Sequence, residues 1–168
     1  MVPVKSEAMF FHDGTGGAPP QASVKADEVS IPVGPNLKYL GLTLYGRWSF
    51  VDHFDNIAPR LGRRADALLG LMPNLRGPND GVRRAYMYAV LSGAYYGASV
   101  WSEEALASRH IRQKLQSVQR RLVLRIARAY RTVSHDVLAV LAGVLPAERV
   151  ADALAKSRSL DSGPPRGA

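Results

Sequence analysis

The sequence contains no cysteine and no long apolar run, and these two absences limit what the chain can be. Without cysteine, its 168 residues hold no disulfide framework, no thiolate zinc site and no cysteine nucleophile. No uninterrupted apolar run reaches the roughly 18 residues that a membrane helix needs. The N-terminus shows no apolar segment followed by a cleavage site. We therefore expect an intracellular chain, nuclear or cytoplasmic, with no membrane partner.

Acidic residues are also scarce, and their distribution is more informative than their number. The chain has 22 Lys and Arg against 14 Asp and Glu, which gives a net charge of +8 at pH 7. A basic balance favours a polyanionic partner such as nucleic acid. Residues 105–135 contain no acid but eight Lys and Arg. These eight are Arg109, Arg112, Lys114, Arg120, Arg121, Arg125, Arg128 and Arg131.

The first 46 residues have the pattern of short strands joined by loops. Apolar runs at 6–12 and 29–33 predict two strands, and alternation of leucine through 37–45 predicts a third with one buried face. Residues 12–36 and 157–168 are otherwise rich in Gly, Pro, Ser and Ala, which is typical of loops and tails.

From residue 48 onward the apolar period becomes helical. The pattern predicts helices at 48–72, kinked or divided by Pro59, and at 82–101, 105–130, 136–142 and 147–157. The third of these carries a single apolar stripe, formed by Ile111, Leu115, Val118, Leu122, Ile126 and Ala129. The predicted fold class is α+β and mainly α, with a small antiparallel β element followed by a helical bundle.

Other polar groups have simpler interpretations than catalysis or metal binding. The acids and histidine at 52–55 do not share one helix face, and acids at a helix start interact favourably with the helix dipole. The glycines at 14–17 lack the Gly-Lys-Ser/Thr ending of a phosphate-binding loop. His110 and His135 have no third ligand at metal spacing. We predict no metal site and no catalytic residue in this chain.

The acid-free helix at 105–130 is the strongest functional signal. Its Lys and Arg residues lie on two sides of the apolar stripe, so the helix can bury the stripe and still present cations to phosphates. We predict that the eight basic residues of the acid-free segment bind nucleic acid. The alternative is that they form a solvated face of a basic structural protein.

Six short motifs occur together in an order known from one protein family. They are VKSEAMFF (4–11), KYLG (38–41), YYGASVW (95–101), VQRR (118–121), AYRTVS (129–134) and VLAGVLP (140–146). These motifs resemble the reverse transcriptases of non-LTR (LINE-type) retrotransposons, in particular the type-1 retrotransposable elements of insects. The resemblance covers about residues 2–156. It departs from the family pattern at Ser99, where glutamate is usual.

The resemblance implies a domain organisation and a partner. Residues 1–46 would be the C-terminal edge of the polymerase palm with its primer-grip strands, 47–157 a helical thumb, and 158–168 a disordered tail. Such a thumb follows an RNA–DNA template–primer duplex through contacts to its backbone. The missing palm and fingers of the parent polymerase would be further partners, and the oligomeric state is left open.

The resemblance also implies roles for individual residues. Lys5 matches a palm lysine near the incoming nucleotide, where a cation offsets phosphate charge. The primer-grip hairpin, which holds the primer end against the palm, would be formed by Lys38, Tyr39, Leu40 and Gly41. Glycine at the last position would allow close backbone approach.

The same comparison predicts that the chain has no polymerase activity by itself. The catalytic aspartates of the family would lie upstream of Lys5, and no two aspartates are adjacent in this sequence. Two Mg²⁺ ions, which only the intact polymerase would hold, need those carboxylates. We therefore expect a fragment of an RNA-directed DNA polymerase, without a cofactor of its own. The alternative is a stand-alone basic helical RNA- or DNA-binding protein, or a structural one.

Overall fold

The fold is known from a computed structural model that describes residues 6–13, 15, 21–26, 29–73 and 76–161. These residues form five strands and six helices, with the strands preceding the helices. This confirms the predicted mainly helical α+β class. The chain divides into two compact units, Met1–His53 and Phe54–Ala168.

The first unit contains all the strands of the described residues. β1 (Ala8–Met9), β2 (Ser23–Ala26) and β3 (Val29–Gly34) form a sheet in the order β1-β3-β2. The β2–β3 pair is antiparallel and the short β1–β3 pair is parallel. β4 (Asn36–Tyr39) and β5 (Leu42–Tyr45) form a separate antiparallel hairpin.

Two sequence-based strand assignments need correction. The stretch 37–45, predicted as one strand, is the β4–β5 hairpin with Leu40 and Gly41 as its two-residue turn. The apolar alternation continues across the turn and so did not indicate the reversal, whereas the family resemblance implied a hairpin here. β2 lies in a stretch predicted to be loop, although its backbone pairs with β3 over four residues. Its side chains are almost all exposed, which is why it lacks an apolar pattern.

An aromatic cluster stabilises the first unit. The ring of Trp48 lies 5.5 Å from that of Phe11 and 5.8 Å from that of the fully buried Phe50. The carbonyl of Gly46 accepts a hydrogen bond from the backbone N–H of His12 at 2.8 Å. A Cβ at position 46 would stand only 2.6 Å from the carbonyl oxygen of Phe10, so this approach requires glycine.

The helices follow one another through short connections. They are α1 (Val51–Leu69), α2 (Asp80–Tyr95), α3 (Ala98–Ala107), α4 (Arg109–Ile126), α5 (His135–Ala142) and α6 (Ala147–Asp161). The side chains of Asn79, Ser108 and Ser134 accept hydrogen bonds from the first turns of α2, α4 and α5. Such caps satisfy backbone donors that the helix itself leaves unpaired.

The helix boundaries differ from the predicted ones for local reasons. The stretch 82–101 is divided into α2 and α3 at Gly97, whose φ of 67° is left-handed. The predicted helix 105–130 starts only at Arg109, because Ser108 caps it, and ends at Ile126. Pro59 does not divide α1. α6 continues past the predicted end at 157 to Asp161, and residues 162–168 of the predicted tail lie outside the described residues.

The core of the second unit forms around α4 as its apolar stripe predicted. Ile111, Leu115, Val118, Leu122 and Ile126 are all buried. Trp101 is also fully buried, with its ring 4.8 Å from that of Phe54. The buried amide of Gln119 donates to the carbonyl of Leu145 at 2.7 Å and accepts from the N–H of Ala147 at 3.0 Å. It therefore joins the α5–α6 connection to α4.

Candidate nucleic-acid interface

The helix α4 determines where most of the predicted phosphate-binding side chains lie. It carries six of the eight, and the other two follow it at Arg128 and Arg131. With about 3.6 residues per turn, positions 114, 121 and 125 fall along one flank of the helix. Arg109 and Arg120 fall on the side away from the apolar stripe. Packing of the stripe thus separates the basic residues into two groups.

Two adjoining depressions lie between α1 and α4, on the flank that carries Lys114, Arg121 and Arg125. One has a volume of about 410 Å³, and its charged lining residues are Asp66, Arg121, Arg125 and Arg131. The other has about 380 Å³, and its charged lining residues are Arg63, Asp66, Lys114 and Arg121. Because Asp66 and Arg121 border both, we treat the two depressions as one feature, the α1–α4 groove.

The α1–α4 groove is strongly positive. Five basic residues line it and only one acidic residue does, so its lining carries a net charge of +4. Four of the five were predicted from the sequence, namely Lys114, Arg121, Arg125 and Arg131. Arg63 of α1 was missed, because only the packing of α1 beside α4 brings it to the groove. The clustering of Arg60, Arg63 and Arg64 on α1 was the signal that could have indicated it.

Two exposed ion-pair groups join α1 to α4 along the groove. Arg121 Nη1 lies 2.7 Å from Asp66 Oδ2. Lys114 Nζ and His110 Nε2 lie 2.9 and 2.8 Å from Asp55 Oδ1. The side chains of Arg121 and Asp66 are 48% and 52% exposed, so water competes for this pair and its contribution to stability is small. These contacts orient Lys114 and Arg121 but leave both side chains partly exposed.

Asp55 shows the electrostatic effect of this arrangement. Hydrogen bonds from His110 and then Lys114 hold the pKa of its carboxyl below the usual range. The sequence did not indicate a partner for His110, because only the packing of α1 beside α4 brings Asp55 to it. His53 belongs to residues 52–55, for which neither catalysis nor metal binding was predicted. It is buried, and its ring accepts a hydrogen bond from the backbone N–H of Thr43 at 3.3 Å.

Arg120 holds the loop that follows α4. Its Nη2 donates to the carbonyls of Arg131 at 2.7 Å and Val133 at 2.6 Å. The backbone N–H of Val133 also bonds to the carbonyl of Tyr130 at 3.2 Å. Part of the Arg120 guanidinium is therefore used within the chain, while the Arg131 side chain remains exposed beside the groove.

The remaining predicted residues lie outside the groove lining. The side chains of Arg109 and Arg112 form no hydrogen bond or ion pair with the described part of the chain, and Arg109 is exposed. Arg128 is exposed, has a left-handed φ of 50°, and lies 3.5 Å from Asp80. The structure thus brings Lys114, Arg121, Arg125 and Arg131 together, and does not place these three with them.

The predicted primer-grip residues form the tip of the β4–β5 hairpin. Lys38 and Tyr39 end β4, and their side chains are exposed. Leu40 and Gly41 form the turn with φ values of 47° and 85°, and Leu40 is 69% exposed. Left-handed backbone costs a leucine roughly 1 kcal/mol, so this tip is strained and presents an apolar side chain to solvent. Lys5 lies outside the described residues.

Two arginines that the sequence did not single out have structural roles. Arg83 is completely buried and donates to four carbonyls, those of Pro73, Arg76, Pro78 and Arg125, at 2.6–2.9 Å. Arg84 donates to the carbonyl of Ala142, at the C-terminal end of α5, at 3.0 Å. Cations interact favourably with the carbonyl groups at the C-terminal ends of helices. Here the two arginines of α2 bind the C-terminal ends of α4 and α5.

The described residues lack both a cluster of metal ligands and a membrane-spanning helix. No three His, Asp or Glu side chains among them lie close enough to hold a metal ion. Within the described ranges, none of the helices combines the length and apolarity needed to cross a membrane.

Comparisons with known proteins agree with the sequence motifs. The chain is 31% identical over 134 residues to the retrovirus-related Pol polyprotein from type-1 retrotransposable element R1 of Nasonia vitripennis. The aligned region covers 71% of this chain and 35% of that protein. A second R1 Pol polyprotein of the same organism is 29% identical over 130 residues, covering 71% of this chain and 33% of its own length. No family model and no solved structure matches the sequence.

The comparisons fix the ancestry of the chain and its extent relative to these proteins. It spans about a third of the length of the curated relatives that it matches. The sequence-based resemblance is confirmed: the chain is a relative of the Pol polyproteins of R1-type non-LTR retrotransposons and corresponds to a polymerase-related part of them.

Proposed function

We propose that this chain forms part of the template–primer binding surface of a reverse transcriptase, with the α1–α4 groove as the contact to the nucleic-acid backbone. The observation that carries the proposal is the groove lining, in which five basic residues face a single carboxylate. Phosphate contacts of this kind position a duplex without reading its sequence. A polymerase needs such contact, because it must move along any template.

The basic residues of α4 have a spacing that suits a nucleic-acid backbone. Lys114 and Arg125 are separated by about 16 Å along the helix axis, at about 1.5 Å per residue. That distance exceeds the spacing of neighbouring phosphates in a strand, so the two side chains can contact different phosphates. Arginine dominates the lining, and its planar fork binds two phosphate oxygens at once.

Asp55 and Asp66 do not prevent phosphate binding in the groove. Each is exposed and pairs with a cation that is itself partly exposed. Surface ion pairs contribute about 0–1 kcal/mol, so a phosphate can replace the carboxylate at little cost. In the free chain the two carboxylates pair with Lys114 and Arg121 beside the groove.

The β4–β5 hairpin is the second part of the proposal, as the primer grip. Its exposed tip, Lys38 to Gly41, combines a cation, an aromatic ring and a strained apolar turn residue. Strain of this kind is common where a loop is shaped for a ligand. Leu40→Asn tests the role, because asparagine tolerates left-handed backbone. We expect a more stable hairpin but weaker binding of a primer terminus; unchanged primer binding would argue against the grip.

The wider organisation follows from these assignments. Residues 1–46 would belong to the palm edge, with Lys5 near the nucleotide, and 47–157 to the thumb, followed by a tail at 158–168. Polymerisation would need the palm and fingers of the parent enzyme with their Mg²⁺-binding carboxylates. We propose that the chain alone binds duplex without extending a primer, since it has no pair of adjacent aspartates.

The test is binding of the purified chain to a labelled RNA–DNA hybrid, measured by fluorescence anisotropy at low salt. The groove variant is Arg63/Arg121/Arg125→Gln. The matched control is Arg149/Lys156/Arg158→Gln, which removes three charges from α6. We expect the groove variant to bind at least tenfold more weakly than the control, because its lost charges contact phosphate directly. Equal weakening by both variants would refute the groove assignment.

One observation favours a structural alternative. Arg83, Arg84 and Arg120 all donate to carbonyls of the chain, so part of the basic excess supports the fold. If the folded chain fails to bind hybrid even at low salt, the groove cations belong to this structural group as well. In that case the relation to Pol polyproteins describes only the ancestry of the chain.

A further inference from the structure

The loop between α4 and α5 exposes one aromatic side chain almost completely. Tyr130 is 85% exposed, more than any other large apolar side chain in the described part of the chain. A single exposed aromatic residue is not unusual in itself. What distinguishes Tyr130 is that the loop around it is held rigidly and lies at the edge of the α1–α4 groove.

Four hydrogen bonds fix the backbone on both sides of Tyr130. Arg120 Nη2 donates to the carbonyls of Arg131 and Val133 at 2.7 and 2.6 Å. The Tyr130 carbonyl accepts from the N–H of Val133 at 3.2 Å, which closes a turn. On the other side, the N–H of Ala129 bonds to the carbonyl of Leu124 at 3.1 Å. The exposed ring is therefore attached to an ordered backbone, and ordering it further on binding costs little entropy.

The neighbours of Tyr130 place it at the edge of the α1–α4 groove. Ala129 and Arg131, on either side of it in sequence, both line the α1–α4 groove. Arg128, two residues before it, has a guanidinium that is about half exposed. A strand that leaves the groove at this end would pass an aromatic ring between two arginines. Interleaved cations and aromatic rings are typical of surfaces that bind single-stranded nucleic acid.

We propose that Tyr130 is a stacking site for an unpaired base, in a single-stranded RNA or DNA segment that extends from the duplex held in the groove. The inference rests on the proposed function and specifies a ligand for one end of the same surface. Bases within a duplex are already stacked on each other, so an exposed ring can cover only a base that is unpaired. The exposed guanidinium groups of Arg128 and Arg131 would bind the phosphates on either side of that base.

The test compares two RNA–DNA hybrids that share the same duplex. One is blunt, and the other has a short single-stranded extension with 2-aminopurine at its first unpaired position; extensions at each end and on each strand are tried in turn. The chain is used as wild type and as Tyr130→Leu, Tyr130→Phe and the control Tyr88→Leu, which removes another exposed tyrosine on α2. Thermal unfolding of each variant verifies that the fold is kept.

If Tyr130 stacks on an unpaired base, we expect the following pattern of binding and fluorescence. The wild type binds one of the extended hybrids about fivefold or more tightly than the blunt one, and quenches its 2-aminopurine fluorescence. Tyr130→Leu loses both effects and still binds the blunt hybrid as before. Tyr130→Phe and Tyr88→Leu behave like wild type. A loss in Tyr130→Phe as large as in Tyr130→Leu would point to a contact of the hydroxyl and would overturn stacking.

Two other outcomes separate this inference from the proposed function. If the wild type binds both hybrids equally, or if Tyr130→Leu weakens both equally, the stacking site is refuted while the groove assignment stands. If the wild type binds neither hybrid, the proposed function is refuted, and the stacking site falls with it.

Discussion

Two regions of the helical unit use arginine in opposite ways. Around Arg83 a guanidinium is buried completely, and carbonyl oxygens from the 73–78 connection and from α4 surround it. In the α1–α4 groove the guanidinium groups of Arg63, Arg121 and Arg131 are exposed. In the first region the cation donates its hydrogen bonds to carbonyl oxygens of the chain. In the second region the cations are exposed and can contact a ligand. Net charge alone does not distinguish these uses; only the partners of each side chain do.

The Arg83 region is where we expect the largest effect of one substitution. Arg83→Met removes a charged donor from four part-buried hydrogen bonds, and a hydrogen bond to a charged group contributes about 1.5–3 kcal/mol. Allowing for relaxation of the loop, we expect a loss of about 3 kcal/mol or more in the free energy of unfolding, measured with urea. A loss below about 1 kcal/mol would show that the carbonyls find other partners, and the contrast between the regions would weaken.

Arg120 combines features of both regions. It was predicted to bind phosphate, but it donates to two carbonyls of the loop after α4. Arg120→Met removes two charge-assisted hydrogen bonds, so we expect the unfolding free energy to fall by about 2 kcal/mol. The expected loss is smaller than for Arg83 because the side chain is only partly buried. Blunt-hybrid binding by the folded fraction should remain nearly unchanged. Weaker binding without loss of stability would place Arg120 with the groove residues.

Asp66 offers a way to strengthen the groove instead of weakening it. Asp66→Asn removes the one carboxylate in the lining, which releases Arg121 and raises the local positive charge. We expect tighter hybrid binding at low salt, with a stability change of about 1 kcal/mol at most because the pair is exposed. Asp152→Asn on α6, which also removes a carboxylate from an ion pair, is the control. Equal tightening by both would indicate a general charge effect.

The smallest expected effect is a pH dependence at Asp55. Its folded-state pKa is lowered by His110 and Lys114, so the stabilisation is present above the unfolded-state pKa and is lost as pH falls through the lowered value. We expect the stability difference between wild type and Asp55→Asn to shrink between about pH 5 and pH 2 in urea titrations. A difference that stays constant over that range would contradict the assigned cause of the shift.

The sequence predicted the parts of the fold that depend on regular periods. The apolar stripe of α4 is buried from Ile111 to Ile126, because spacing along one helix already determines which side chains share a face. The apolar pattern missed the turn at Leu40 and Gly41, because the alternation continues across it, and only the family resemblance implied a hairpin there. The break at Gly97 depends on one left-handed residue within an otherwise continuous helical pattern.

The candidate site was predictable only in part for a related reason. The acid-free segment contained Lys114, Arg121 and Arg125 among its eight basic residues, and the structure finds these three along one groove. The role of Arg83 was not visible, because its partners are backbone carbonyls as far away in sequence as Arg125. Arg63 and Asp66 were missed because their place depends on how α1 packs beside α4. Composition indicates that cations are abundant, whereas tertiary contacts decide which of them remain free.

The measurement that tests the central claim most directly is the salt dependence of hybrid binding. The logarithm of the association constant is plotted against the logarithm of salt concentration for wild type, Arg63/Arg121/Arg125→Gln and Arg149/Lys156/Arg158→Gln. If the groove binds phosphate, the negative slope of the groove variant should become shallower by about 0.9 for each lost contact. The slope of the α6 variant should stay near that of wild type. Identical slopes for the two variants would contradict the division of the basic residues into groove and fold.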